Sequence, residues 1–369
     1  MAEAVAPKNN PKNSWGADLF TLLKRHEVRF LPFVPDAGHA DLIRLAHEDN
    51  DMQPVVLTTE EEGVALACGH WLGGKKSVLL MQSSGVGNTI NMLSMLANCR
   101  FPFVTLVTMR GEFGEFNSWQ VPMGRATPEV LRSMGLTVHT VTQEDQLVKT
   151  IDAALYAAYA SDQQVAITVT GSGRQKGMVM LQRREVVAQI NQARGQALMV
   201  TGLGSSSYDL HAAGDDDRNF YLWGAMGGAA MTGLGVAMAQ PERQVIVLTG
   251  DGEMLMGIGG LATIGVQQPD NLSIIVLDNG HYGETGMQAS HTQFGVDLPS
   301  IARASGLPVS LSVETEADML QLCGALASQA AVKGGAIFAS IKVAAESPER
   351  SLPIVDGVEI KNRFRRTLG

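Results

Sequence analysis

The chain has 369 residues, 45% of them hydrophobic, with 40 glycines and only 5% aromatics, which suits two cored α/β domains with tight turns. A net charge of −9 without a sizeable basic block excludes a nucleic-acid surface, and no apolar run reaches membrane-spanning length. Three scattered cysteines without CxxC spacing, and an N-terminus without a signal-peptide core, predict a reduced, cytoplasmic protein.

Residues 1–13, rich in Pro, Asn and Lys, read as a mobile lead-in. Leu19, Leu22 and Leu23 at helical spacing predict a helix over 15–26, followed by a strand at 29–34, a helix at 42–47 and a strand at 55–57. A helix over 60–72 opens on the run Glu60-Glu61-Glu62. A strand at 77–81 then leads through a turn at 82–88, QSSGVGN, into a helix at 89–97 and a strand at 103–109. This alternation predicts a doubly wound parallel sheet with helices on both faces. From Arg110 the pattern gives way to a long loop, RGEFGEFNSWQVPMGRATP. Helices at 128–134 and 144–160 and a strand at 164–169 close the first domain, 14–172. A linker is placed at 173–190 and a second domain at 191–369.

That second half repeats the architecture. A helix at 184–192 and a strand at 197–201 lead into Gly202-Leu203-Gly204-Ser205-Ser206-Ser207. A short strand at 220–222 precedes Gly224-Ala225-Met226-Gly227-Gly228 and a helix ending at Ala239. The stretch 245–283 reads as strand, Gly250-Asp251-Gly252 turn, Gly-rich helix and second strand ending at Asn279. A last strand-helix-strand set covers 309–313, 317–331 and 336–343. The basic cluster Lys361 to Arg366 reads as a solvated tail or interface segment.

Asp251 and Asn279 would emerge at neighbouring carboxyl ends of parallel strands, where open α/β sheets bind ligands. A carboxylate plus an amide oxygen suits Mg²⁺. Separately, GDG reads as an ordinary turn and an Asn after a strand as a loop residue. Together, in this strand-helix-strand setting, they resemble the diphosphate- and metal-binding motif of thiamine diphosphate enzymes, with Asp278-Asn279 where that motif ends near an Asn pair. The first half resembles the pyrimidine-binding domain and the second the diphosphate-binding domain of thiamine diphosphate-dependent 2-oxoacid decarboxylases. The strings EEEGVALACG, SSGVGN, RGEFGEFNSWQVPMG and NGHYGETGMQ, and the lack of room for a middle domain, resemble the compact subgroup of sulfopyruvate and phosphonopyruvate decarboxylases.

The resemblance implies roles. Glu60, spaced from Gly69 as in the family, would share a proton with the cofactor's aminopyrimidine ring. Burial beside a neutral ring would raise its pKa. Glu61 and Glu62 read as a solvated helix start, favoured by the helix dipole. Gly224 would accept the cofactor's amino group through its carbonyl, and Met226 would wedge between the two rings. Asp251, Asn279 and the carbonyl of His281 would hold Mg²⁺. Gly250, Gly252 and Glu253 at a helix N-terminus, with Gly204 and Ser205, would take phosphate oxygens, and Tyr282 joins this cofactor-binding set. Ser83, Ser84, Asn88 and Arg110 are the candidate substrate donors, and His281 and His291 the candidate proton relays. The implied reaction is non-oxidative decarboxylation of a small anionic 2-oxoacid, sulfopyruvate to sulfoacetaldehyde and CO₂. The alternatives are phosphonopyruvate decarboxylation, a carboligating acetolactate synthase-like activity, or a non-catalytic cofactor-binding module. The family pattern also implies a homodimer or homotetramer, in which the pyrimidine domain of one subunit meets the diphosphate domain of another.

Overall fold

Runs such as FVTLVTM and LSIIVLD are buried at every position, as parallel strands covered on both faces require. The structure, a computed structural model, describes residues 14–111, 117–170, 181–327 and 335–368. The chain divides into two compact units, Met1–Glu112 with Pro122–Gly173, and Phe113–Val121 with Arg174–Gly369. The expected lead-in and the stretch 171–180 of the expected linker lie outside the described residues. No helix among the described residues is long and apolar enough to cross a membrane.

The first unit contains α1 (Ser14–Arg25), β1 (Val28–Phe33), α2 (Ala40–His47), β2 (Gln53–Val56), α3 (Glu60–Leu72), β3 (Lys76–Ser77), β4 (Leu79–Gln82), α4 (Ser83–Cys99), β5 (Phe103–Met109), α5 (Val121–Ser133), β6 (Thr137–Val141), α6 (Glu144–Ser161) and β7 (Gln164–Thr170). The parallel order is β2-β1-β4-β5-β7-β6, with β3 also on β1. Strand alternation divides the core. Leu31, Phe33, Leu80, Leu106 and Ile167 face Leu19 and Leu23 of α1, Leu42 of α2 and Ile151 of α6. Leu79, Met81, Val107 and Ala166 face Val64 of α3, Leu93 of α4 and Leu131 of α5.

The second unit contains α7 (Arg183–Ala193), β8 (Leu198–Thr201), α8 (Ser205–Ala213), β9 (Asn219–Tyr221), α9 (Ala229–Ala239), β10 (Val245–Gly250), α10 (Asp251–Met256), α11 (Gly260–Gln267), β11 (Leu272–Asp278), β12 (His281–Tyr282), β13 (Gln288–Ala289), α12 (Leu298–Ala304), β14 (Val309–Val313), α13 (Glu316–Ala327), β15 (Ile337–Lys342) and α14 (Gly357–Arg366). The main sheet is parallel in the order β14-β15-β11-β10-β8-β9, and β12 and β13 form a small antiparallel hairpin. Both halves are thus doubly wound α/β sheets.

Several expectations are corrected. The segment Ser83 to Asn88 is not a turn but the opening of α4, which begins immediately after β4. The long loop after Arg110 is shorter than expected. Helix α5 starts at Val121 and carries Pro128 within it, where the residues before the proline already form the first turns. Residues 183–190 of the expected linker belong to α7, whose Val186, Val187 and Ile190 enter the second core. The basic cluster Lys361 to Arg366 is not a free tail. It lies in α14, capped by Asp356, which accepts from the Val358 and Glu359 amides, and it buries Ile360, Arg363 and Phe364.

Candidate active site

In the first unit, Glu60 is the first residue of α3 and only 2% exposed. Burial raises its pKa, opposed by the amide of Asn88, which donates from Nδ2 to Glu60 Oε2 at 2.9 Å. The carboxyl lies against the backbone of α4. A Cβ on Gly85 would stand 1.9 Å from Glu60 Oε1, so only glycine leaves room for it. The next two glutamates have other work. The Thr58 amide donates to Glu62 Oε2 at 3.0 Å, and the Thr59 hydroxyl donates to Glu61, so both serve the helix start.

The four candidate substrate donors surround the start of α4. Ser83 is fully buried, and its Oγ accepts from the Arg110 amide at 3.0 Å, which fixes the backbone at the end of β5. The Ser84 hydroxyl donates to Gln82 Oε1. Asn88 meets Glu60 rather than standing alone. Sequence reasoning missed Asp36 at the end of β1. Its carboxylate accepts from the Gly38 amide at 2.8 Å, the Thr108 hydroxyl at 2.6 Å and Gln82 Nε2 at 3.1 Å. His39 is fully buried beside it, and burial lowers the imidazole pKa, outweighing the Asp36 charge. An Asp after a Pro reads locally as a turn residue, and only the sheet brings β4 and β5 to it.

In the second unit, β10 and β11 pair in register from Val245 with Leu272 to Gly250 with Leu277, which brings their carboxyl ends side by side. Gly250 ends β10 and precedes Asp251, the first residue of α10. Asp251 is 2% exposed and accepts from the Ser290 hydroxyl and from Thr292 Oγ1 at 3.0 Å. The same Thr292 hydroxyl lies 2.7 Å from Asp278 Oδ1, and Lys342 Nζ pairs with Asp278 at 2.5 Å. Burial, and secondly the Asp278 charge, push Asp251 up to about 6. Asn279 Oδ1 accepts from the His281 amide at 2.9 Å, and His281 Nδ1 lies 2.8 Å from the Asn279 carbonyl. Tyr282 packs its ring over Gly252. His291, the second candidate relay, opens the short 3₁₀ turn that also carries Thr292.

Gly204 caps α8, where the Glu284 side chain packs on it and Ser205 Oγ lies 3.4 Å from Glu284 Oε1. Gly224 backs onto Trp119, and Met226 is half-buried in the turn that precedes α9. The expected role of Glu253 concerns its backbone amide; its side chain reaches inward. Oε2 accepts from the Leu203 amide and from Thr249 Oγ1, both at 2.9 Å. Burial pushes this carboxyl up to about 7.

Comparison with known proteins shows the family to which the chain belongs. Residues 204–337 match the C-terminal thiamine pyrophosphate-binding domain of thiamine pyrophosphate enzymes. The chain is 30% identical to a sulfopyruvate decarboxylase of Methanosarcina acetivorans over 81% of this chain and 84% of that protein. It is 32% identical to a phosphonopyruvate decarboxylase of Streptomyces viridochromogenes over 95% of this chain and 94% of that protein. A sulfopyruvate decarboxylase subunit beta of Methanothermobacter thermautotrophicus is 37% identical over 50% of this chain and 95% of that subunit. With sequence likeness over nearly the whole chain and a thiamine pyrophosphate-binding domain in its second half, this protein belongs to the thiamine diphosphate-dependent decarboxylases that include the sulfopyruvate and phosphonopyruvate enzymes.

Proposed function

We propose that the chain decarboxylates sulfopyruvate to sulfoacetaldehyde and CO₂. The observation that carries this reading is the match to a sulfopyruvate decarboxylase over 84% of that protein's length. Phosphonopyruvate is the second candidate, favoured by the 94% coverage of a phosphonopyruvate decarboxylase. The chemistry supplied by bound thiamine diphosphate is an electron sink for the pair left when CO₂ departs. Glu60, buried and raised in pKa, is suited to share a proton with the aminopyrimidine ring. Asn88 orients it, and the Gly224 carbonyl and Met226 would hold the cofactor's rings. Arg110, its backbone fixed by Ser83, serves the anionic end of the substrate together with Ser84, and His281 relays a proton to product.

Mg²⁺ fits the second unit on charge. Asp251 and Asp278 are both buried and share the Thr292 hydroxyl, and Lys342 pairs with Asp278, so a divalent cation would offset the charge left on Asp251. Among the described residues no three His, Cys, Asp or Glu side chains group as a metal site. By resemblance to the family, the site we assign draws on the Asp251 carboxylate, the Asn279 amide oxygen and the His281 carbonyl. Gly250, Gly252, Glu253, Gly204 and Ser205 provide backbone donors for the diphosphate, with Tyr282 packed beneath. We assign the pyrimidine-binding domain to 14–172 and the diphosphate-binding domain to 183–369, so that α7 belongs to the second and the segment 117–121 packs with it. The enzyme is a homodimer or homotetramer in which Glu60 of one chain serves a cofactor held by another, a reading supported by relatives whose alpha and beta parts are separate subunits.

A coupled aldehyde assay with sulfopyruvate and phosphonopyruvate tests this, with thiamine diphosphate and Mg²⁺ each added or withheld. Turnover of sulfopyruvate that requires both additions is expected. A preference for phosphonopyruvate would replace the substrate, and turnover of neither would sink both readings.

A further inference from the structure

Glu284 sets a negative charge against the start of α8. Its Cγ and Oε1 would stand 2.4 and 3.0 Å from a Cβ on Gly204, so the side chain lies along the backbone that opens the helix. Oε1 is 3.4 Å from Ser205 Oγ, and Oε2 is 3.5 Å from the Tyr208 hydroxyl. Arg350, from the segment between β15 and α14, donates from Nη2 to Glu284 Oε2 at 2.7 Å and lies over the Tyr208 ring, 5.1 Å from its centre. Both side chains are 26% exposed and line a cavity of about 580 Å³ that also reaches Ser205 and Gly283. In that cavity Arg183, Arg184 and Arg350 stand against Asp209, Glu284 and Glu349, so the charges balance. Arg183 and Arg184 both bond the buried Asp209 and are fixed by it. Drawing Glu284 aside would leave the Arg350 guanidinium uncompensated beside Ser205.

We propose that Arg350 is a further diphosphate-binding residue, which exchanges the Glu284 carboxylate for a phosphate. The carboxylate gives up its position at Gly204 and Ser205, and the guanidinium changes partner without leaving the cavity. The inference rests on the cofactor reading above, in which Gly204 and Ser205 take phosphate oxygens, and adds a side chain remote in sequence from the motifs that carry that reading. A guanidinium offers two parallel N–H donors that fit phosphate oxygens as they fit a carboxylate, so the exchange keeps its geometry. The Tyr208 ring beneath holds the guanidinium plane while the partner changes. A partly exposed ion pair is weakly held, which lets Glu284 leave.

Calorimetric titration of thiamine diphosphate in the presence of Mg²⁺ tests this without recourse to turnover. Arg350→Ala should weaken binding at least about fivefold, through loss of a charge-assisted contact. Glu284→Gln removes the competing charge and should tighten binding at least about twofold. In Arg350→Ala the dissociation constant should also rise less steeply with added salt, because one ion contact is gone, whereas a role in packing alone would leave the salt dependence as it is. Inorganic pyrophosphate, titrated as a competitor, should bind Arg350→Ala at least about fivefold more weakly too, since the contact concerns the phosphates and not the rings. A smaller loss in Arg350→Ala, unchanged or weaker binding in Glu284→Gln, unchanged salt dependence, or undiminished pyrophosphate competition would each overturn the assignment. Either variant alone can refute it should the other fail to fold. If wild type binds thiamine diphosphate, such results remove only this role for Arg350. Failure of wild type to bind would remove the cofactor reading itself.

Discussion

Glu60 is held by opposing effects at a single carboxyl group. Burial disfavours its charge, the Asn88 amide favours it, and Gly85 leaves the space in which both act. Glu60→Gln removes the proton but keeps the shape. Decarboxylation should fall by at least about 100-fold, the usual range for loss of a general acid–base group. Calorimetric titration should show thiamine diphosphate binding within a few-fold of wild type. Asn88→Ala removes a hydrogen bond to the ionised form, so the Glu60 pKa should rise further. The acid limb of the kcat/KM profile should then move to higher pH, and a shift in the opposite direction would refute the assignment. Gly85→Ala should mimic Glu60→Gln in activity, because the added methyl would overlap the carboxyl.

Elements whose residues matched their local preferences were legible in the sequence. Helix α3 and strands β5 and β14 fall where periodicity and β-branched runs placed them. The start of α4 did not, since SSGVGN has turn composition, and the glycine at 85 answers to Glu60 rather than to a turn. Helix α8 was hidden by its Ser-rich opening, and α5 by Gly124 and Pro128. In the site, GDG and the glutamate run were legible, whereas Asp36 and the inward turn of Glu253 depend on neighbours distant in sequence. Helix α14 shows the same lesson with charge. Its arginines look solvated in sequence, yet Arg363 pairs with Asp215 at 2.6 Å and lies over the Tyr221 ring at 5.6 Å. Asp356→Ala removes the cap from this helix and should cost about 1 kcal/mol in urea unfolding, with little change in kcat.

At the scale of the molecule, opposing sets of carboxyls shape the response to pH. Glu60, Asp251 and Glu253 have folded pKa values raised by burial, the last two to about 6 and about 7. Their stabilising contribution is complete below their unfolded values and is lost as pH rises through the folded ones. Asp49, Asp152, Asp215, Asp297 and Asp318 are lowered by hydrogen bonds and ion pairs, so their contribution holds above their unfolded values and is lost as pH falls. Metal-free protein should therefore melt highest at roughly pH 4–6 and less well at pH 8. Thiamine diphosphate with Mg²⁺ needs Asp251 ionised, so the rise in Tm on adding both should grow from pH 5 to pH 8. A Tm gain that shrinks over that range would contradict the metal assignment. Finally, each unit owns a parallel sheet with apolar helices on both faces, and among the described residues no strand is shared between the sheets. The gene is accordingly open to fission: two polypeptides cut within 171–180 and co-expressed should assemble and reconstitute activity, whereas the second half made alone, lacking Asn117 and Trp119 of its own unit, should be less stable.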